Sequence, residues 1–168
     1  MNQTTDTPFV ISRTFNAPRE LVWRAFTEGD RMAQWWGPKG FIMRKSSLDL
    51  RPGGLYHYGM ESPQGQTMWG RFVFQDIDPM DLLSFVVSFS DEDAGMTRHP
   101  MAPDWPLEML STVRFIDEGD RTTLKMESIP VNASEAERAA FQAGFKSMEG
   151  GFAGTLDQLE AYLAEHAG

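Results

Sequence analysis

Hydrophobic positions along this chain switch between two periods. Phe9, Ile11 and Phe15 fall in phase at a period of two, which marks a strand with one buried face. Arg13 shares their phase and therefore needs a partner or a path to water. In NAPRELVWRAFTEGD the spacing becomes helical: Asn16 and Pro18 begin the element, Leu21, Val22, Ala25 and Phe26 form one apolar face, and Gly29 ends it. A second short helical turn is expected over Asp30 to Trp36, closed by Gly37 and Pro38.

From Phe41 the period of two returns, punctuated by the turn sequences RPGG, SPQG, DPMD and EGDR. Tyr56, Tyr58 and Met60 share one strand face, with His57 out of phase and pointing outward. Leu83, Phe85, Val87 and Phe89 share another, as do Leu107, Met109, Val113 and Phe115, and then Leu124 and Met126. Successive strands joined by short turns predict an antiparallel meander.

The C-terminal segment reverts to helical spacing. Asn132 or Ser134 caps it, Glu135 and Glu137 suit its positive end, and Phe141, Phe145, Met148, Phe152, Leu156, Leu159 and Leu163 recur every three or four residues. One helix of about 30 residues is expected, reaching roughly 45 Å, long enough to lie across a whole sheet. Gly144, Gly150, Gly151 and Gly154 interrupt its interior at about 1 kcal/mol each relative to alanine. Two accounts stand level: the glycines permit a kink or close packing, or they keep space open beneath the helix.

Composition narrows the function. The 168 residues suit a single domain, and 41% hydrophobic with 23% charged residues are ordinary globular values. No apolar run approaches a spanning helix and the N-terminus lacks the pattern of a signal peptide, so a cytoplasmic protein is expected. The net charge of -9, without a basic cluster, disfavours nucleic acid, and the absence of cysteine removes disulfides and thiolate chemistry. Five Trp, twelve Phe and eleven Met fit an adaptable apolar pocket as well as a core.

The motifs ISRTFNAPRELVWRAFTEGD, MAQWWGP, RPGG, IDPMDLL and GFAGTLDQLEAYL, in this order, resemble the activator of heat-shock protein 90 ATPase homologue-like family of the START-like (SRPBCC) superfamily. The likeness spans nearly the whole chain. It implies an α+β helix-grip fold in one domain over residues 1–168, ordered from about 8 to 165. A curved antiparallel sheet of six to seven strands would wrap around the long C-terminal helix, with two short helices after the first strand. It also implies a cavity between sheet and helix that in related families holds apolar small molecules. Two departures are visible. The eukaryotic co-chaperones carry a separate N-terminal domain, whereas the first strand is expected almost at the start of this sequence, and the family's usual GW before the last helical segment is here Gly151 and Phe152.

With that cavity in view, strand phase and helix face nominate Tyr58, Met60, Trp69, Phe85, Met109, Phe145, Met148 and Phe152 as its lining, and Trp35 or Trp36 as its far end. Trp69 fits least well, because Phe72 and Phe74 have the opposite parity. Ser90 to Pro106 is a long connection rich in charge. Pro100, Pro103 and Pro106 restrict it and Trp105 can anchor it, so it reads as an ordered lid over the mouth. Arg98 and His99 are its candidate ligand contacts. Arg98 suits an anionic head group, or else pairs with Asp91, Glu92 or Glu108 to hold the lid shut, the simpler account.

His57, His99 and His166 are too scattered for a metal site. The leading reading is therefore binding of a small apolar or amphipathic molecule, with no cofactor, by a monomer or homodimer, without nucleic acid or membrane. The alternatives are a cyclase- or hydrolase-type enzyme using His99 with Glu108 nearby, and a chaperone-associated stress-response module whose partner is a heat-shock ATPase.

Overall fold

The computed structural model describes residues 7–37, 39–99 and 102–166. Pro38 and Pro100, singled out above, lie outside the described residues, as do the first six residues and the last two. The element order is β1 (Phe9–Phe15), α1 (Arg19–Thr27), α2 (Gly29–Met32), β2 (Ile42–Leu48), β3 (Leu55–Glu61), β4 (Thr67–Asp78), β5 (Leu82–Ser90), β6 (Met96–Thr97), β7 (Glu108–Asp117), β8 (Thr122–Val131), α3 (Glu135–Ala143) and α4 (Phe145–His166).

Seven strands form one antiparallel sheet in the order β1-β8-β7-β5-β4-β3-β2, and the two-residue β6 pairs back onto β5. The inward phase is the one the sequence carries. Tyr56, Tyr58, Phe72, Phe74, Leu83, Phe85, Val113, Phe115 and Leu124 are all buried on the concave face. Arg13 reaches the rim of α4, where its guanidinium donates to Asp157 at 2.7 Å and to Glu160 at 3.3 Å.

Three local readings change. Gly29 opens α2 instead of closing α1: the break falls at extended Glu28, whose carboxylate accepts from Arg24 at 2.9 Å and Arg31 at 2.7 Å and so staples the two helices together. His57 does lie on the convex face but is buried, because the turn after β5 folds over it and its Nε2 lies 2.9 Å from the Asp91 carbonyl oxygen.

The third is the C-terminal helix, which is two helices. α3 starts at a capping box in which Ser134 Oγ accepts the Glu137 N–H at 3.1 Å and the Glu137 carboxylate accepts the Ser134 N–H at 2.8 Å. It stops at Gly144, where a Cβ would sit 2.8 Å from Cζ3 of Trp105. The lid tryptophan fills the space a side chain would need. Gly150 differs, since a Cβ there meets nothing within 4 Å. Gly150→Ala should therefore stabilise the fold by about 0.5–1 kcal/mol through helix propensity. A urea midpoint that fails to rise would show that the helix requires glycine there for another reason.

Candidate functional site: a cavity under the first half of the long helix

The concave face has two ends with different fates. At one, α1 supplies Val22, Trp23 and Phe26, the second half of α4 supplies Leu156, Leu159 and Leu163, and Trp35 fills the remaining space. At the other end the first half of α4 stands away from the sheet. A cavity of about 550 Å³ lies there, within the roughly 300–1,000 Å³ typical of small-molecule sites.

Backbone geometry holds this space open. Gly70 on β4 pairs with Tyr58 on β3, and a Cβ at Gly70 would lie 2.3 Å from Tyr58 Oη, so the tyrosine lies flat across the strand as part of the floor. Gly37 adopts φ +114° and passes so close to Met60 that a Cβ would reach 2.3 Å from its sulfur. The Gly37 carbonyl accepts from Thr155 Oγ1 at 3.1 Å and Gln158 Nε2 at 2.6 Å, which ties this end of the cavity to α4.

Residues 98–99 and 102–106 form the described part of the cover. Just before them, Asp91 closes a tight turn by accepting the N–H groups of Asp93 at 2.9 Å and Gly95 at 2.8 Å. Trp105 packs 5.6 Å from Phe141 of α3, centroid to centroid, and His99 lies 4.7 Å from Phe89. Arg98 donates to the Trp105 carbonyl at 3.3 Å and forms an ion pair with Glu137. The pairing within the lid expected from sequence gives way to a tie between lid and α3. Glu137 is better placed than Asp91, Glu92 or Glu108, because the capping box already orients its carboxylate. Glu108 instead accepts from Asn132 Nδ2 at 3.2 Å.

Eight of the twelve sequence candidates border the cavity: Tyr58, Met60, Trp69, His99, Trp105, Met109, Met148 and Phe152. Trp69 does so from an unexpected side, with its indole crossing Gly59 to stack on His57 at 5.3 Å. The other four do not border it. Trp35 is core, 1% exposed, and its indole N–H donates to the Ala25 carbonyl at 3.0 Å. Phe85 is core, stacked 4.2 Å from Phe72. Phe145 turns to Phe9 and Phe141, and Arg98 points to Glu137.

Trp36, named beside Trp35 as the far end, does border it, and Met68, Val87, Ser88, Phe89, Ser147 and Thr155 are among the wall residues not nominated. Val87 and Phe89 carried the signal, since they continue the phase of Leu83 and Phe85 toward the lid. What strand phase omits is which end of the face is filled.

Two titratable groups have shifts that bear on the site. Burial pushes the Tyr58 hydroxyl up to about 12, partly offset by hydrogen bonding with Trp36, so it is neutral at physiological pH. The Arg98 guanidinium, helped by the Ser134 backbone, lowers Glu137 below its ordinary 4.5. A depressed carboxylate stabilises the folded state above its ordinary pKa, and that contribution is lost as pH falls through the folded value. The stability gap between wild type and Glu137→Gln should therefore be constant near neutrality and shrink below about pH 4. Urea midpoints at a series of pH values would show it; a gap that persists through strong acid would mean that the ion pair is not its source.

The sheet gripping a C-terminal helix over a partly filled concavity is a family architecture as well as a local solution. The model of the Activator of Hsp90 ATPase homolog 1-like protein family matches residues 16–164. The chain belongs to this family. Its helix-grip fold recurs in solved structures. A Mycobacterium smegmatis protein is 24% identical over 92% of this chain and 88% of its own, with a TM-score of 0.73. An Arthrobacter aurescens protein is 25% identical over 94% and 86%, with a TM-score of 0.75. A Silicibacter pomeroyi protein described as AHSA1 is 20% identical over 95% and 99%, with a TM-score of 0.70. No curated protein matches. Among the described residues, no helix is long and apolar enough to cross a membrane.

Proposed function

We propose that this member of the family binds a small apolar or amphipathic molecule in the cavity and does not alter it chemically. The observation that carries the reading is the way the space is kept. Tyr58 lies flat over Gly70, Gly37 passes close to Met60, and Trp105 seats the lid against Gly144, which leaves about 550 Å³ unfilled in the grip. The walls are mainly Met and aromatic side chains, which conform to apolar guests at little cost. The family's fold commonly holds hydrophobic ligands, which agrees with this use.

Native mass spectrometry of the gently purified protein tests it, with Met148→Trp as the filled-cavity comparison. The expected result is a mass excess on the wild type that vanishes on denaturation and is much reduced in the variant. A bare chain mass in both, together with no rise in melting temperature on adding long-chain alcohols or aromatic amines, would remove the proposal.

A further inference from the structure

The cavity walls are uncharged. Among the described residues, none of the side chains bordering the space is Asp, Glu, Lys or Arg; the polar ones are Tyr58, Ser88, His99, Ser147 and Thr155. Tyr58 is held as the neutral hydroxyl. Lys146, next to Ser147 on α4, is exposed and does not border the space, and three other nearby cations are engaged outside it. Arg98 is paired with Glu137, Lys39 lies 3.1 Å from Asp157, and Arg71, next to Gly70 in sequence, donates to the Ala94 carbonyl at 2.7 Å on the convex face. Among the described residues bordering the space, His99 is the one imidazole. It sits between the rings of Phe89 at 4.7 Å and Trp105 at 6.4 Å.

A carboxylate, sulfonate or phosphate drawn into this space would lose hydration without gaining a counter-ion from the described walls, a cost that its neutral analogue with the same apolar body does not bear. The net charge of -9 adds long-range repulsion to the approach of any anion. An alcohol, ketone, ester or amine-bearing ring meets neither obstacle, and the Tyr58, Ser147 and Thr155 hydroxyls can satisfy its polar group.

We infer that the cavity selects uncharged ligands and excludes anionic ones, so that its ligand is a neutral amphipathic molecule and not a fatty-acid or phospholipid anion. The inference rests on the cavity-binding reading above and goes beyond it in naming the chemical class.

Two matched pairs of probes test it on the full chain at about pH 8, where dodecanoate is fully ionised. One pair is N-phenylnaphthylamine and its sulfonated analogue, anilinonaphthalene sulfonate, read by fluorescence. The other is dodecanol and dodecanoate, read by displacement of the bound naphthylamine. Met148→Trp and, should that variant fold poorly, Gly151→Leu report how much signal belongs to the cavity. In each pair the neutral member should bind at least about tenfold more tightly, and its signal should fall in the filled variants. Equal or tighter cavity binding of the two anions would overturn the charge selection while leaving the binding function standing. Failure of all four probes to bind would overturn both.

Discussion

Alanine at Trp35 should lower the unfolding free energy by about 3–5 kcal/mol, while alanine at its neighbour Trp36 should cost less stability and weaken ligand binding instead. Trp35 is 1% exposed, packs edge-on against Phe26 at 4.8 Å, and satisfies its indole N–H on the Ala25 carbonyl at 3.0 Å. Its removal would open a void between α1, the loop after α2 and the second half of α4, and would orphan a buried carbonyl. Its neighbour Phe26, itself held edge-on to Phe115 at 5.4 Å, leaves little scope for collapse. Trp36 is half-buried and meets Phe72 at 5.3 Å and Tyr58 at 6.3 Å while presenting a side to the cavity. Its loss would enlarge the site and remove a support of the Tyr58 hydroxyl. Urea denaturation and probe titration of both variants measure the contrast; equal stability losses would refute the division of labour.

That pair also shows what a sequence of this kind reveals. WWGP marks a place where two large aromatics must be accommodated next to a backbone reversal, and the strand phases of Tyr56, Phe72, Phe85 and Leu124 identify the face they are accommodated on. The sheet, the short helices and the grip were therefore legible, because period and turn chemistry are local properties. The filled and empty ends of that face were not. Phe85 and Phe89 are in the same phase, four residues apart, yet one is core and the other borders the cavity. The difference is set by how far the first half of α4 stands off, which depends on a contact between Trp105 and Gly144 across about forty residues of chain. Arg98 was misassigned for a related reason. Its partner Glu137 is distant in sequence, and only the capping box at Ser134 brings that carboxylate to the lid.

Gly70→Ala should show whether the cavity floor is a built feature. The added Cβ would fall 2.3 Å from Oη and 2.4 Å from Cζ of Tyr58, distances that no relaxation of the alanine itself can relieve. Tyr58 must move, yet Tyr56 stacks on it at 5.1 Å and Phe72 abuts it at 5.8 Å. The direction left open is upward into the unfilled space. Overpacking of this kind costs about 1–3 kcal/mol, and the displaced ring would occupy volume that a ligand needs, so stability and binding should fall together. Gly59→Ala supplies the comparison. Its Cβ would meet the Trp69 ring at 2.6 Å on the opposite side of the same strand pair, where the indole lies against His57 and not against Tyr58. A comparable loss of stability with a smaller loss of probe binding is expected there, because Trp69 borders the cavity without forming the floor that Tyr58 makes. If both variants lose binding equally, the site depends on the general integrity of β3 and β4 and the flat tyrosine has no special part in it. If only Gly70→Ala loses binding, the glycine opposite Tyr58 is what keeps the floor low enough for a guest.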